Sequence, residues 1–354
     1  MKLFVYDPTK TDSLSKVRGV GRYLQTLKET LPKNTVFTSN LNAVPFDSII
    51  INPFINLIQP PLMTKRIAKK QIGVIHDIIP LQFPQHFPVG LRGKLNAWRN
   101  KEAIKLYDVI VTDSEASKGK IIEKLKVLSS KLRVIFPTLP SIFNQEVSIK
   151  KKVSSANVPS FQLLNTSYLI YVGDVTWNKN LVNLAKAIKL GTMPCVFVGK
   201  TFLKEELRIT NYGLQSGWLQ EGREFMKLAE NDKRFSFPGF VSDNQLKTLY
   251  KNAVANVLVS REEGFGFSYF EAASQKTPSI LSDIDIFHET SGEVALFVDQ
   301  NNPENIAQGI KKFSTEKTLR KSLGQKAFER WQSLPDSTAA WKLLLDSLQT
   351  PLSA

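Results

Sequence analysis

The sequence predicts an α/β protein made of two Rossmann-like domains, each a parallel sheet covered by helices. Short apolar segments alternate with helical patterns through both halves of the chain, and this alternation is typical of strand–helix–strand units. With 354 residues the chain is long enough for two domains of ordinary size. Residues 137–166 hold several prolines, a run of lysines and little periodicity, as expected of a linker. We therefore predict one domain over residues 1–150 and a second over residues 167–334.

The overall composition fits globular domains and argues against other classes of protein. Apolar residues make up 42% of the chain and charged residues 22%. The sequence has no apolar run of the roughly 18 residues that a spanning helix needs, and residues 1–8 predict a strand and a turn, not a signal peptide. Cys195 is the single cysteine, so we predict neither a disulfide framework nor a cysteine-based metal site. A cytoplasmic location is the expectation.

Positive charge is concentrated in the first half of the chain. Residues 1–150 carry 23 Lys and Arg against 11 Asp and Glu, a net charge of +12, whereas residues 151–354 carry 24 against 21, a net charge of +3. This asymmetry indicates an anionic partner for the first domain. A membrane surface, a lipid diphosphate and nucleic acid are the candidates. Because no recognised nucleic-acid-binding motif is present, we predict no nucleic-acid partner.

Residues 256–287 hold the most informative pattern, a strand followed by a glycine-containing loop and a helix. The apolar segment Val257–Val259 predicts a buried parallel strand. After the loop, Ser268 and Glu271 fit a capping box that opens a helix. Backbone amides and the helix dipole at such a start favour an anion. The predicted phosphate-binding amides belong to Gly264, Phe265, Gly266 and Phe267.

Two carboxylates frame this loop. Glu263 lies at its mouth and Glu271 one turn into the predicted helix. Carboxylate oxygens accept hydrogen bonds from paired hydroxyls such as those of a sugar or a ribose. The simpler interpretation of the spacing alone is that Glu271 caps the helix and Glu263 is a surface charge. The residues themselves leave both interpretations open.

The same stretch resembles the donor site of a known enzyme family. The pattern E-G-F-G-x-x-x-x-E, followed by T-P-x-x-x-S, is similar to the motif of the retaining nucleotide-sugar glycosyltransferases of group 1, or family 4, which have the GT-B fold. In that family the first Glu contacts the transferred sugar and the second the ribose, which implies these roles for Glu263 and Glu271. The resemblance also implies two domains facing each other across a cleft. It further implies that the C-terminal helix, within residues 335–354, crosses back to the first domain.

A second loop also resembles the family. The pattern Y-V-G-x-x-x-x-x-K-N-L is similar to the loop in which a lysine meets the donor diphosphate, and it implies this role for Lys179. Many members have an arginine where this chain has Asp174 or Asn178, so one phosphate-binding charge is missing from the predicted donor site. Arg261 is the candidate to replace it.

The turn at Phe240 precedes a further helix, whose start is predicted by the capping-box residues Ser242 and Gln245. In the family the corresponding glycine-containing turn contacts the nucleobase through backbone atoms. The resemblance therefore implies that Phe240 belongs to the donor site.

The segment G-V-G-R-Y near the N-terminus resembles a family segment that faces the inter-domain cleft. It contains Gly19, Gly21, Arg22 and Tyr23, and a helix is predicted from Tyr23 onward. The resemblance implies an acceptor-side or cleft role for these residues. The residues alone favour an ordinary strand–helix turn with solvated charges.

His76 follows a predicted strand, at the end of the sheet where α/β proteins bind ligands. Its surroundings, V-I-H-D-x-x-P, resemble the family segment whose histidine approaches the donor sugar. The resemblance thus implies a catalytic role for His76, whereas His86 and His288 are predicted to be structural.

Two basic segments of the first half bear on the anionic partner. Residues 91–106 predict a helix that either lies on an anionic membrane or buries Trp98 inside its domain. A second cluster of basic residues predicts reversible attachment to an anionic membrane. It consists of Lys65, Arg66, Lys69 and Lys70.

Together these features predict an enzyme that moves a sugar, with a mannose-like hexose as the leading candidate, from a GDP- or UDP-linked donor to a glycan or lipid-linked glycan. Polysaccharide, O-antigen or glycolipid assembly at the inner face of the cytoplasmic membrane is the expected setting. The resemblance implies retention of configuration without a metal or cofactor, and the D-x-D pattern at Asp283–Asp285 is interpreted as a loop. A non-catalytic nucleotide-sugar-binding relative and a nucleotide-sugar epimerase of the same fold are the alternatives.

Overall fold

The computed structural model describes residues 1–10, 19–144, 167–202, 218 and 220–349, apart from the side chain of Lys10. The chain forms two compact units. Unit 1 comprises residues 1–140 and the C-terminal segment from Leu334 onward, and unit 2 spans Ser141–Ser333. Most of the predicted linker, residues 145–166, lies outside the described residues.

The strands of each unit form one parallel sheet. In unit 1 they are β1 (Lys2–Tyr6), β2 (Val36–Thr38), β3 (Ser48–Asn52), β4 (Lys70–Val74), β5 (Val109–Thr112) and β6 (Leu132–Val134). In unit 2 they are β7 (Leu169–Val172), β8 (Cys195–Val198), β9 (Phe235–Gly239), β10 (Ala255–Leu258), β11 (Ser279–Ser282) and β12 (Leu296–Val298). Every residue of β3 and β10 is buried, which explains why these strands appear in the sequence as continuous apolar runs.

The described α-helices connect these strands or follow them. They are α1 (Gly19–Thr30), α2 (Ile79–Gln82), α3 (Gly90–Ile104), α4 (Glu115–Leu125), α5 (Leu181–Lys189), α6 (Gln220–Ala229), α7 (Asp243–Asn252), α8 (Phe267–Ser274), α9 (Asp285–Ser291), α10 (Pro303–Thr315), α11 (Lys317–Gln332) and α12 (Ser337–Gln349).

Both sheets have a point where the strand order reverses. The order is β2-β1-β3-β4-β5-β6 in unit 1 and β12-β11-β10-β7-β8-β9 in unit 2. Consecutive strands therefore diverge between β1 and β3 in the first sheet and between β7 and β10 in the second. Loops at the carboxyl ends of strands separate at such a switch point and leave room for a ligand. The predicted fold class, two Rossmann-like α/β domains, is confirmed.

The C-terminal helix α12 belongs to unit 1, as the fold class predicted. Its Trp341 is buried. The hydroxyls of Thr138 and Ser337 lie 3.0 Å apart. At the other end of the helix, the N-terminal amine of Met1 donates a hydrogen bond of 3.1 Å to the side chain of Gln349. Residues near both ends of the segment 1–140 thus contact helix α12.

Helix α1 begins earlier than predicted. Gly19 and Gly21 lie within its first turn, and not in a loop that ends at Tyr23. The preceding residues 11–18 lie outside the described residues. The helix start could not be predicted from these glycines, because isolated glycines in a sequence favour a turn.

Helix α8 also begins at a different residue from the one predicted. Gly266 is its N-cap, with a φ of 88°, so Ser268 lies inside the helix and the predicted capping box at Ser268 and Glu271 is wrong. The left-handed backbone favours glycine at this position. A Cβ on Gly266 would in addition lie 3.0 Å from the ring of Phe287. The capping box predicted at Ser242, by contrast, is confirmed at the start of α7.

The basic helix α3 buries the face opposite to its large apolar side chains. Gly93, Asn100, Ala103 and Ile104 are its buried residues, whereas Trp98 is 61% exposed. Asn100 is accommodated because its side-chain amide donates to backbone carbonyls of the loop at residues 56–59, at 2.7 Å for Gln59. Of the two alternatives for this helix, the one in which it buries Trp98 in its domain is therefore wrong.

Candidate functional site

Lys179 and Glu263 form the centre of the candidate site, at the switch point of unit 2. Lys179 lies in the loop after β7 and Glu263 in the loop after β10. The ammonium of Lys179 donates to both carboxylate oxygens of Glu263, at 2.8 and 2.9 Å. Glu263 is only 9% exposed, and ion pairs withdrawn from water interact more strongly than those at the surface. The structure thus brings together the two residues predicted to contact the diphosphate and the sugar.

Further hydrogen bonds hold this pair in place. The hydroxyl of Ser260 donates to Glu263 Oε1 at 2.7 Å, and the hydroxyl of Ser282 donates to the carbonyl of Ser260 at 2.6 Å. Asn180, next to Lys179, donates to the carbonyls of Val259 at 2.9 Å and Gln300 at 2.6 Å. These contacts fix both loops at the ends of their strands. The sequence indicated neither Ser260 nor Asn180. The partners of Asn180 are backbone carbonyls far along the chain, which sequence spacing does not reveal.

Asp174 and Asn178 both lie in the loop after β7 and share a contact with Thr176. The hydroxyl of Thr176 lies 2.7 Å from Asp174 Oδ1 and 2.8 Å from Asn178 Oδ1. Asn178 donates its side-chain amide to the carbonyl of Glu262 at 3.1 Å, and its own carbonyl accepts from the amide of Arg261 at 2.7 Å. Asn178 therefore joins the loop after β7 to the loop after β10, whereas Asp174 accepts from Thr176 within its own loop.

Arg261 is engaged by unit 2 itself. Its guanidinium donates to both oxygens of Glu221, at 2.9 and 2.8 Å, and to the carbonyl of Trp177. It also lies 5.0 Å from the centre of the Trp177 ring, within the range of a cation–π contact. Burial raises the pKa of the Glu221 carboxyl above its ordinary value, although the neighbouring guanidinium opposes the shift. Glu221, which sequence reasoning missed, thus balances the charge predicted to replace the absent arginine.

Glu271 is buried in α8 and is 4% exposed. Its Oε2 accepts a hydrogen bond of 3.1 Å from the hydroxyl of Tyr250 in α7. Because the N-cap of α8 is Gly266, Glu271 does not close a capping box, and that simpler interpretation of its role is wrong. The carboxylate is instead held by the hydroxyl of Tyr250.

The remaining predicted donor residues lie around the start of α8 or after β9. Phe265 is buried and stacks on Phe270, with ring centres 5.0 Å apart, while Phe267 meets Phe265 edge-on at 5.3 Å. These contacts support the loop Gly264–Phe267, which leads into α8. Phe240 follows β9, at the edge of the sheet, and is 57% exposed.

His76 is the centre of a separate cluster in unit 1. Its Nδ1 lies 2.5 Å from Oδ2 of the buried Asp113, and its Nε2 lies 3.0 Å from the carbonyl of Pro53. The ring of Tyr23 meets the imidazole edge-on at 4.5 Å, and Phe54 stacks on it at 5.9 Å. Tyr23, predicted from the glycine-containing segment, is therefore brought together with His76. Gly19, Gly21 and Arg22 lie in the first turn of α1, where the guanidinium of Arg22 donates to Gln25 at 3.2 Å.

Both nitrogens of His76 face acceptors, which favours the doubly protonated ring. A carboxylate oxygen and a carbonyl oxygen can each accept, but neither can donate to the imidazole. Burial lowers the pKa of His76. The charge and hydrogen bond of Asp113, together with Asp77 and the Pro53 carbonyl, raise this pKa by more than burial lowers it, so the net shift is upward. His76 is thus suited to supply a positive charge and not to act as a general base.

The variant Asp113→Asn should lower the pKa of His76 and destabilise the protein in a pH-dependent way. Because the folded-state pKa of His76 is raised, its ionisation stabilises the fold below the ordinary value of about 6.5, and this contribution is lost as pH rises through the folded-state pKa. We expect a loss of about 2 kcal/mol in the free energy of unfolding at pH 6 and a smaller loss at pH 9. Urea unfolding at both pH values and NMR titration of the imidazole would measure these effects.

Asp283→Asn is the matched control for this experiment. Asp283, from the D-x-D pattern, lies 2.6 Å from His288 Nε2, while Glu293 lies 2.7 Å from His288 Nδ1. The Asp283 side chain is 67% exposed, and surface ion pairs contribute at most about 1 kcal/mol. Equal destabilisation by the two variants, or an unchanged pKa of His76 in Asp113→Asn, would contradict the imidazolium assignment.

Residues 159–330 match the family described as glycosyl transferases group 1. The chain is similar to this family over that segment, which contains both loops of the candidate site. It is 27% identical over 248 residues to the O-antigen chain mannosyltransferase RfbU of Salmonella typhimurium, covering 69% of this chain and 61% of that relative, which is less than two thirds of its length. It is also 24% identical over 290 residues to the O-antigen chain mannosyltransferase B of Escherichia coli, covering 78% and 71% respectively.

Comparison with solved structures confirms the fold of the chain. The crystal structure of Anabaena HepE in complex with UDP and glucose has a TM-score of 0.67 and 14% sequence identity, and covers 98% of this chain and 99% of that chain. The fold is GT-B, as the motifs had indicated. At this level of identity the likeness establishes the fold alone.

Proposed function

We propose that this chain transfers a hexose, with mannose as the leading candidate, from a nucleoside diphosphate to an acceptor hydroxyl with retention of configuration. The observation that carries the proposal is the Lys179–Glu263 pair at the switch point of unit 2, with the buried Glu271 in the helix that follows. The family match over residues 159–330 supports sugar transfer, and two relatives are named O-antigen mannosyltransferases. A polysaccharide or lipid-linked glycan acceptor is proposed on the same ground.

Different residues of unit 2 are assigned to three parts of the donor. Lys179 and the amides at the start of α8 are assigned to the diphosphate, Glu263 to the sugar and Glu271 to the ribose. A diphosphate within reach of Lys179 would share the ammonium with Glu263, since the lysine carries three donors. Donor binding and the orientation of the Glu263 carboxylate, which is assigned to the sugar, are therefore linked through the side chain of Lys179.

The proposed reaction occurs on one face of the sugar. The bond between the anomeric carbon and the diphosphate oxygen breaks, the bond to the acceptor oxygen forms on the same face, and the acceptor proton passes to the departing phosphate oxygen. Negative charge grows on the phosphate, where Lys179 and fixed amide dipoles would stabilise it without a metal or cofactor. His76, as an imidazolium, is assigned to the sugar end of the donor on the strength of the family resemblance.

A panel of nucleotides and nucleotide sugars tests this proposal directly. The melting temperature should rise most with one nucleoside diphosphate sugar, because a ligand that binds only the folded state stabilises it. GDP-mannose and UDP-glucose are the first probes, since the base is undecided between guanine and uracil. Release of nucleoside diphosphate from that sugar, with the anomeric configuration of the product determined by NMR, would establish a retaining transferase. Binding without release would instead indicate a non-catalytic relative.

A further inference from the structure

The outer face of helix α3 carries a stripe of exposed apolar side chains, here called the α3 stripe: Leu91, Leu95 and Trp98. Their exposed fractions are 86%, 54% and 61%. Spacings of four and three residues place them on one side of the helix. Surfaces of monomeric proteins commonly expose single apolar residues, but an aligned set on one helix indicates a site of contact with a protein, a membrane or a ligand.

Basic residues flank the α3 stripe on both sides. With a rotation of about 100° per residue, Arg92 and Arg99 lie along one side and Lys94 and Lys101 along the other. All four are exposed, and none forms an ion pair within the part of the chain that the structure describes. The single acidic residue of the helix, Glu102, is paired with Lys105 at 2.6 Å. The positive charge around the stripe is therefore uncompensated.

We propose that the α3 stripe and its four flanking basic residues dock unit 1 on an anionic lipid bilayer. A narrow apolar stripe between two rows of cations fits the boundary between acyl chains and negatively charged headgroups. The stripe would enter the acyl boundary while the arginines and lysines remain at the phosphates. No described helix is long and apolar enough to cross a bilayer, so the contact is a surface one.

The structure favours α3 over the basic cluster predicted at residues 65–70. Arg66 is bound to both oxygens of Asp108, at 2.9 and 3.2 Å, and Lys69 lies 3.3 Å from Asp47. Two of the four charges in that cluster are thus paired within unit 1. The proposal goes beyond sugar transfer, and its test measures binding to lipid without donor or acceptor.

The experiment compares the full chain with three variants on vesicles of phosphatidylcholine containing about one third phosphatidylglycerol. The stripe variant is Leu91→Ser with Leu95→Ser and Trp98→Gln. The flank variant replaces the four basic residues by Gln. The matched control is Leu343→Ser, because Leu343 is likewise a helical leucine of unit 1 and is 74% exposed. Melting temperatures should be nearly unchanged in all three, since these side chains are exposed.

We expect the wild type and the control to bind anionic vesicles equally, with affinity that falls as salt rises, and to bind neutral vesicles weakly. The stripe variant should bind at least about tenfold more weakly. The flank variant should bind roughly 600-fold more weakly, because each of its four basic residues near an anionic surface accounts for about fivefold. Absent or salt-independent vesicle binding, or full binding by the stripe variant, would overturn the proposal. Sedimentation that reveals self-association lost in the stripe variant, without vesicle binding, would assign the face to a second copy of the chain.

Discussion

The variant Glu263→Gln is expected to lose sugar transfer by roughly 100- to 1,000-fold, as removal of one preorganised electrostatic contact does in other enzymes. Nucleoside diphosphate should bind at least as well as to the wild type. In the native chain Lys179 shares its ammonium with both oxygens of Glu263, and the amide of Gln would compete less for that charge. The effect should therefore be on turnover, with no loss of nucleotide affinity. Calorimetry with the nucleoside diphosphate and single-turnover transfer would separate the two.

Two further variants sharpen this test. Glu262→Gln makes the same chemical change one residue away and keeps the backbone carbonyl that accepts from Asn178. It should retain far more transfer than Glu263→Gln if the Glu263 carboxylate itself contacts the sugar. Glu271→Gln should weaken nucleotide binding and affect the chemical step less, because this carboxylate is assigned to the ribose. If Glu263→Gln and Glu271→Gln lower affinity and transfer alike, separate sugar and ribose roles are excluded.

The sequence predicted the central residues of the candidate site, Lys179 and Glu263, better than the residues that hold the other site side chains in place. Lys179 and Glu263 follow two apolar strands, and such loops converge wherever parallel strands neighbour each other in a sheet. Their convergence could be expected once both strands were recognised. Glu221 and Tyr250 could not be predicted, because they reach Arg261 and Glu271 from helices whose packing is a tertiary property.

The same limit explains why the start of α8 and the buried face of α3 could not be predicted from the sequence. An S-x-x-E pattern fits a capping box at Ser268 and equally fits the interior of a helix, and the left-handed Gly266 settles which it is. Periodicity places Leu91, Leu95 and Trp98 on one face of α3 but does not say which face is buried. Asn100 settles that question through hydrogen bonds to a neighbouring loop, which sequence spacing does not contain.

The cluster around His76 shows a further kind of information that sequence lacks. The segment V-I-H-D indicated His76 as a candidate, yet its protonation depends on Asp113, at the end of the neighbouring strand β5. The second oxygen of Asp113 and the hydroxyl of Tyr23 are buried without a hydrogen-bond partner among the described residues. A charge balance of this kind depends on distances across the sheet, so the predicted role of His76 could not be specified beyond its position.

The variant Lys179→Ala should weaken nucleoside diphosphate binding by about 10- to 150-fold, which corresponds to about 1.5–3 kcal/mol for a charge-assisted hydrogen bond to phosphate. Binding of the free nucleoside should be unchanged, because it offers no phosphate. Part of the loss has a second origin. Without its lysine, the buried carboxylate of Glu263 would repel the diphosphate and would also lower the free energy of unfolding.

The double variant Lys179→Ala/Glu263→Gln separates the two contributions. If the phosphate contact dominates, the double variant binds diphosphate as weakly as Lys179→Ala. If repulsion by Glu263 dominates, the double variant recovers most of the affinity, and the difference measures the coupling between the two side chains. Lys179→Arg, which keeps the charge, should retain most of the binding. Unchanged diphosphate affinity in Lys179→Ala would mean that the loop after β7 does not bind the diphosphate, and the candidate site would have to be reassigned to the start of α8 alone.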